Sequence, residues 1–217
     1  MALSPEAREA RRRNLVDSAH ALVRETGGTG FSMLELARRA GVSPATPYNL
    51  LGSKSQVLRR VIRDEFESFA GRLSRQPPLP PFAHLLRAID LVAVHYLDEP
   101  AFYRGLYHAV LDTNAGELRA MMTVEGQALW RAMIEAAAAD GALDLLVDAP
   151  TLTALLLRTM GGTVEAWLAE DWDGARFAAE MAVSTRLLLL GLTHGEAAKQ
   201  LRAEIAEAAA RAEPNLP

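Results

Sequence analysis

The sequence predicts an all-α fold. Apolar residues recur at helical spacing almost throughout, helix-ending Gly, Pro, Ser and Asp punctuate them, and no alternating β-branched run bounded by turn signals claims a strand. The 217 residues, 50% hydrophobic and 23% charged, suit one moderate domain or two small ones and exclude wholesale disorder. Leu15, Ala19, Leu22 and Val23 share one helix face, so a first helix is expected from about Pro5 to Glu25, stopping at Gly27-Gly28. Ser32 and Glu35 form a capping box that opens a short second helix burying Leu36, Ala37 and Ala40. Gly41 ends that helix and, by tolerating positive φ, permits a sharp reversal. Ser43 followed by Pro44 reads as an N-cap and a first-turn proline, opening a third helix through Leu50 or Leu51, in which Pro47 is expected to remove one early hydrogen bond. After Gly52, Ser53 and Gln56 form a second capping box and launch a long fourth helix through Val57, Leu58, Val61, Ile62, Phe66 and Phe69.

Gln76-Pro77-Pro78-Leu79-Pro80-Pro81 is a stiff connector, because its prolines lack amide donors. Beyond it the pattern predicts helices from about Phe82 to Leu97, from Pro100 to about Asp112, and from Asn114, with Glu117 in its first turn, to about Asp140. Pro150 opens a very apolar helix through Leu155, Met160, Val164 and Trp167, and a second follows Gly174 as far as Gly191. Thr193 and Glu196 read as one more capping box, before an Ala-rich last helix that frays near Glu213-Pro214.

Charge divides the chain. Residues 1–75 carry 13 Arg and Lys against 8 Asp and Glu, a net +5, while residues 76–217 carry 10 against 19, a net −9, which together give the overall −4. A basic head on an acidic body suits a polyanion met by the head alone. With no cysteine, disulfides, thiolate metal sites and cysteine nucleophiles are excluded, and the five histidines are never three or four apart, so no metal set is expected. HExxH, G-x-S-x-G and a phosphate-binding glycine loop are absent, and Gly27-Gly28-Thr29-Gly30 lies between helices as a turn. Neither an enzyme nor a cofactor is expected. The charged N-terminus has no apolar leader segment and no apolar run spans a membrane, which reads as a soluble cytoplasmic chain.

Two short helices joined by Gly41-Val42 have the proportions of a helix-turn-helix, whose second helix enters the major groove. Ala40-Gly41-Val42-Ser43, then Thr46 and Tyr48, then Ser53-Lys54 and Leu58 form a pattern over about residues 10–65. That pattern resembles the TetR family of transcriptional regulators. The resemblance implies an N-terminal three-helix DNA-binding domain, residues 1–52, and a larger helical ligand-binding and dimerisation domain, residues 53–217.

The chemistry of the matched positions agrees with such a role. Ser32 and Ser43 stand at helix starts that can hold phosphates, Tyr48 offers a phenol, and Lys54 places a charge at the head of the fourth helix, where an anion explains it better than helix stability does. Asn49 is the best base reader through an adenine edge, with Ala45 or Thr46 against thymine methyls and Pro44 limited to apolar contact. One helix-turn-helix makes few phosphate contacts, so a homodimer on an inverted-repeat operator in double-stranded DNA is expected. Leu155, Leu156, Ala166, Leu187, Leu188 and Leu190 supply the apolar faces for that pairing. By the resemblance the body also holds an unknown, largely apolar effector, with Tyr103, Tyr107, His108, Trp130, Met160 and Trp167 as candidate contacts among a wider set that includes Met121 and Met122. Release of DNA by that ligand makes the chain a repressor. The rival reading is a helical ligand-binding or protein-interaction module without specific DNA binding, because Leu34 and Pro44 stand where the family more often has basic residues.

Overall fold

The computed structural model describes residues 4–111 and 116–212, and the side chains of residues 4–109 and 126–212. Among the described residues there are ten helices and no strand. They are α1 Pro5–Thr26, α2 Met33–Arg39, α3 Thr46–Leu51, α4 Lys54–Ser74, α5 Pro81–Asp98, α6 Pro100–Leu111, α7 Gly116–Ala139, α8 Ala149–Ala169, α9 Gly174–Leu190 and α10 Gly195–Ala212. The expected helix end at Asp112, the start at Asn114 and the fraying at Glu213-Pro214 lie outside the described residues, as do the side chains of Glu117, Met121 and Met122.

The chain forms two compact units, one of Met1–Ser68 with Glu99–Met122, the other of Phe69–Asp98 with Thr123–Pro217. In the first, Leu15, Ala19 and Val23 of α1 are buried along one stripe, as are Leu36 of α2, Val57, Val61 and Ile62 of α4, and Phe102 and Leu106 of α6. α6 packs on α1, and Gly105 carries the closest approach: a Cβ there would lie 2.5 Å from the Gly27 carbonyl carbon and 2.7 Å from the Gly28 nitrogen. Arg24 pairs with Glu99 at 2.5 Å, and His20 lies flat on Phe102 with ring centroids 5.0 Å apart. His20 Nδ1 also sits 3.5 Å from Glu65 Oε1, while the Tyr103 hydroxyl donates to the same carboxylate.

In the second unit α8, α9 and α10 pack around Leu156, Trp167, Phe177, Met181 and Leu201, with Trp167 stacked on Phe177 at 4.6 Å. Buried Arg186 of α9 joins Asp90 of α5 and Glu204 of α10, with Nε donating to Glu204 at 2.6 Å and Nη2 to Asp90 at 3.0 Å. Burial works against that guanidinium's charge, but the hydrogen bonds and charges of Asp90 and then Glu204 outweigh it and raise the pKa. Leu187 is exposed and Leu155, Ala166, Leu188 and Leu190 are half-buried, whereas Leu156 is fully buried within its own unit.

Most helix starts lie where the caps put them. Asp148 accepts from the Thr151 amide and Asp173 from the Arg176 amide, both at 2.8 Å. Two starts differ. α10 begins at Gly195 with the His194 carbonyl as first acceptor, so the Thr193 hydroxyl falls one residue out of register and donates to the Leu190 carbonyl instead. The start of α3 also shifts, by a rearrangement that belongs to the candidate site.

Candidate nucleic-acid interface

The helix-turn-helix is built by local caps. At the start of α2 the Ser32 hydroxyl accepts from the Glu35 amide at 3.1 Å, while the Ser32 amide donates to the Glu35 carboxylate at 2.7 Å. The bond from the Ser32 amide first, and one that the Ser32 hydroxyl donates to the same carboxylate oxygen at 2.8 Å second, hold the Glu35 carboxyl below its ordinary pKa. At the other end the amides of Gly41 and Val42 return to the carbonyls of Arg38 and Ala37, a Schellman closure that requires the positive φ of +66° seen at Gly41. This closure reverses the chain within two residues and sets α3 against α2.

Ser43 does not cap α3. The helix begins at Thr46 with Ala45 at the N-cap and no side-chain cap, because the Thr46 amide closes a tight turn on the Ser43 carbonyl at 2.9 Å. That turn takes the acceptor which a helix starting at Pro44 would have offered to residue 47. Pro47 therefore lies in the first turn, where its missing N–H removes no helical bond, and the expected loss does not occur. The Ser43 and Thr46 hydroxyls bond one another at 2.8 Å. Ser43, Pro44, Ala45, Tyr48 and Asn49 are exposed, Tyr48 at 58%, and Thr46 is half-buried. Leu34 is the exposed apolar residue on α2, at 62%.

Lys54 stands at the head of α4, which the Ser53–Gln56 box opens with bonds of 2.9 and 3.3 Å. Its ammonium lies 5.1 Å above the Phe31 ring, a cation–π contact that the sequence did not announce. Burial lowers its pKa, and the nearby Glu35 charge opposes that shift. The lysine thus has a resident partner.

Two further residues belong to this assembly. Arg12 Nε donates to the Leu50 carbonyl at 3.2 Å and Asn14 Nδ2 to the Ala40 carbonyl at 2.9 Å, so α1 reaches the carboxyl ends of both short helices. Spacing does not single out Arg12, since Arg11, Arg12 and Arg13 each stand three or four residues before buried Leu15 or Val16, and its inward turn follows from packing on α3.

The candidate effector residues divide between the units. Tyr103, Tyr107 and His108 lie on α6 in the first, respectively buried, half-buried and exposed. Trp130, Met160 and Trp167 are buried in the second. Among the described residues no group of three His, Asp or Glu side chains is placed to hold a metal, and no helix is long and apolar enough to cross a membrane.

The first three helices hold a capped helix-turn-helix, and a larger helical part follows them in the chain. No family model matches the chain. The fold is that of the TetR-family regulators. It aligns over 99% of its length with 97% of TylP, a TetR regulator from Streptomyces fradiae, at a TM-score of 0.67 and 20% identity. RolR in complex with resorcinol gives a TM-score of 0.70 at 18% identity, over 99% of this chain and 98% of RolR. SmeT, the repressor of the Stenotrophomonas maltophilia multidrug efflux pump SmeDEF, gives 0.68 at 16% identity, over 86% of this chain and 92% of SmeT. In sequence, the HTH-type transcriptional regulator BetI of Rhizobium meliloti (strain 1021) is 45% identical over 53 residues, which are 24% of this chain and 26% of BetI. The match therefore spans about a quarter of that curated relative.

Proposed function

We propose that this protein is a transcriptional regulator that binds an inverted-repeat operator as a homodimer and is released by an apolar small molecule, which makes it a repressor. The carrying observation is the exposed face of α3, with Tyr48 and Asn49 on a helix closed at its carboxyl end by the Gly52 amide and Ser43, Pro44 and Ala45 beside it. Residues 1–52 form the DNA-binding domain and residues 53–217 the regulatory and dimerisation domain in this reading. Ser32, Ser43, Thr46, Tyr48 and Lys54 meet phosphates, Asn49 reads an adenine edge, and Pro44 and Ala45 give apolar contacts in the groove. An incoming phosphate would share Lys54 with Phe31 and Glu35, so the lysine bridges backbone and fold.

Half-buried and exposed apolar residues of α8 and α9, Leu187 foremost, supply the pairing surface. Candidate effector contacts are Tyr103, Tyr107 and His108 in the first unit, and Trp130, Met160 and Trp167 in the second. The resorcinol held by RolR and the repressor role of SmeT support a ligand-released repressor without identifying this chain's ligand. Ligand and DNA then compete through two conformations of the body. The regulator acts in the cytoplasm, needs no cofactor and catalyses nothing.

Selection of duplexes from a random library at physiological salt tests the proposal. The wild type is expected to enrich an inverted repeat that Lys54→Ala loses. Exposed Leu34 favours the second reading, a ligand-binding module without specific DNA recognition, and failure of the wild type to enrich any motif would establish it.

A further inference from the structure

Short helices leave a large share of their carbonyls unpaired, because the last four of any helix have no partner within it. α2 settles most of its own through the amides of Ala40, Gly41 and Val42, and α3 closes on the Gly52 amide, which donates to the Tyr48 carbonyl at 3.0 Å. The Ala40 and Leu50 carbonyls are taken from outside, by Asn14 Nδ2 and Arg12 Nε of α1. A guanidinium there also meets the negative end of the α3 dipole. Glu9 holds the other side of Arg12, with Oε2 3.4 Å from Nη1. Arg11 and Arg13 are exposed, whereas Arg12 is half-buried.

We infer that Arg12 and Asn14 are positioning residues that fix the α2–α3 pair on α1, and that Arg12, unlike its neighbours Arg11 and Arg13, acts on the protein and not on phosphate. The inference rests on the DNA-binding reading for its functional half. Base readout needs the reading helix held to a fraction of an ångström, and α3 has only six residues and no side-chain N-cap to hold it. Its anchor is therefore at the carboxyl end.

The test uses the full chain as wild type, Arg12→Ala and Asn14→Ala, each first checked for folding by its melting curve. Affinity for the selected duplex and for a shuffled duplex is measured by fluorescence anisotropy at several salt concentrations. Arg12→Ala is expected to lower the ratio of the two affinities roughly tenfold, the size of one hydrogen bond to a charged group, and Asn14→Ala, which loses a neutral bond, about fivefold, with the shuffled-duplex affinity and the salt slope unchanged. General destabilisation would weaken both duplexes together and leave the ratio intact, which overturns the inference. So would a salt slope reduced by about one per half-site in Arg12→Ala, the mark of a lost phosphate contact. Amide hydrogen exchange in the free chain decides the structural half. Residues 46–52 should exchange faster in Arg12→Ala, and unchanged exchange overturns the tether. If the wild type selects no duplex, the DNA-binding reading fails while the exchange result still decides whether α1 anchors α3.

Discussion

At the residue scale the candidate site shows side chains serving the fold and its surface together. Glu35 takes both the Ser32 amide and hydroxyl on one carboxylate oxygen, and its lowered pKa sets a direction. A carboxyl whose folded pKa lies below the unfolded value stabilises the fold above that unfolded value, and the contribution is lost as pH falls through the folded one. Urea unfolding from about pH 6 down to pH 3 should therefore show a steeper loss for the wild type than for Glu35→Gln, whose amide can cap without titrating. Equal slopes would mean that the box contributes nothing to acid stability. Lys54 carries the opposite balance, since burial opposes its charge. Lys54→Met should melt within about 1 kcal/mol of the wild type while weakening DNA binding. A larger loss of stability would assign the ammonium to the fold rather than to DNA.

At the element scale the most demanding contact is the crossing of α6 over the end of α1. Gly105→Ala should cost about 2 kcal/mol, because the new Cβ meets backbone that cannot turn aside, whereas Gly28→Ala, with open space around its Cβ, should change little. Chemical denaturation of the two variants separates these outcomes, and a neutral Gly105→Ala would show that the crossing opens readily. Nothing in the sequence marked Gly105, since a close approach joins residues distant along the chain. Caps were legible because they are local: Ser32 with Glu35, Ser53 with Gln56 and the turn at Gly41 follow from spacing alone. The start of α3 was misread where two local rules competed, a serine–proline cap against a proline three residues later. The turn from Ser43 to Thr46 satisfies both prolines. The exposed face at Tyr48 and Asn49 was readable, but the inward turn of Arg12 and the ring beneath Lys54 depend on packing between helices.

At the scale of the whole molecule, opposite charge on its two parts and one buried ion cluster set the expectations. Despite a net charge of −4, the chain should be retained on heparin near pH 7 through its basic head and released by moderate salt, and passage straight through the column would refute that use of the charge. Arg186 ties three helices of the second unit together. Arg186→Ala should cost about 3 kcal/mol by leaving Asp90 and Glu204 facing a void, and Arg186→Met, which keeps the volume, should cost less in thermal melts. If the two variants melt alike, lost charge rather than lost packing is the cause. The three tryptophans, Trp130, Trp167 and Trp172, all lie buried in that second unit and none in the first. Intrinsic indole emission is accordingly a spectroscopic window on one half of the molecule, whereas far-ultraviolet ellipticity averages over every helix. Coincidence or separation of the two signals during denaturation will tell, without any label, whether the first unit and the second unfold as a single cooperative transition.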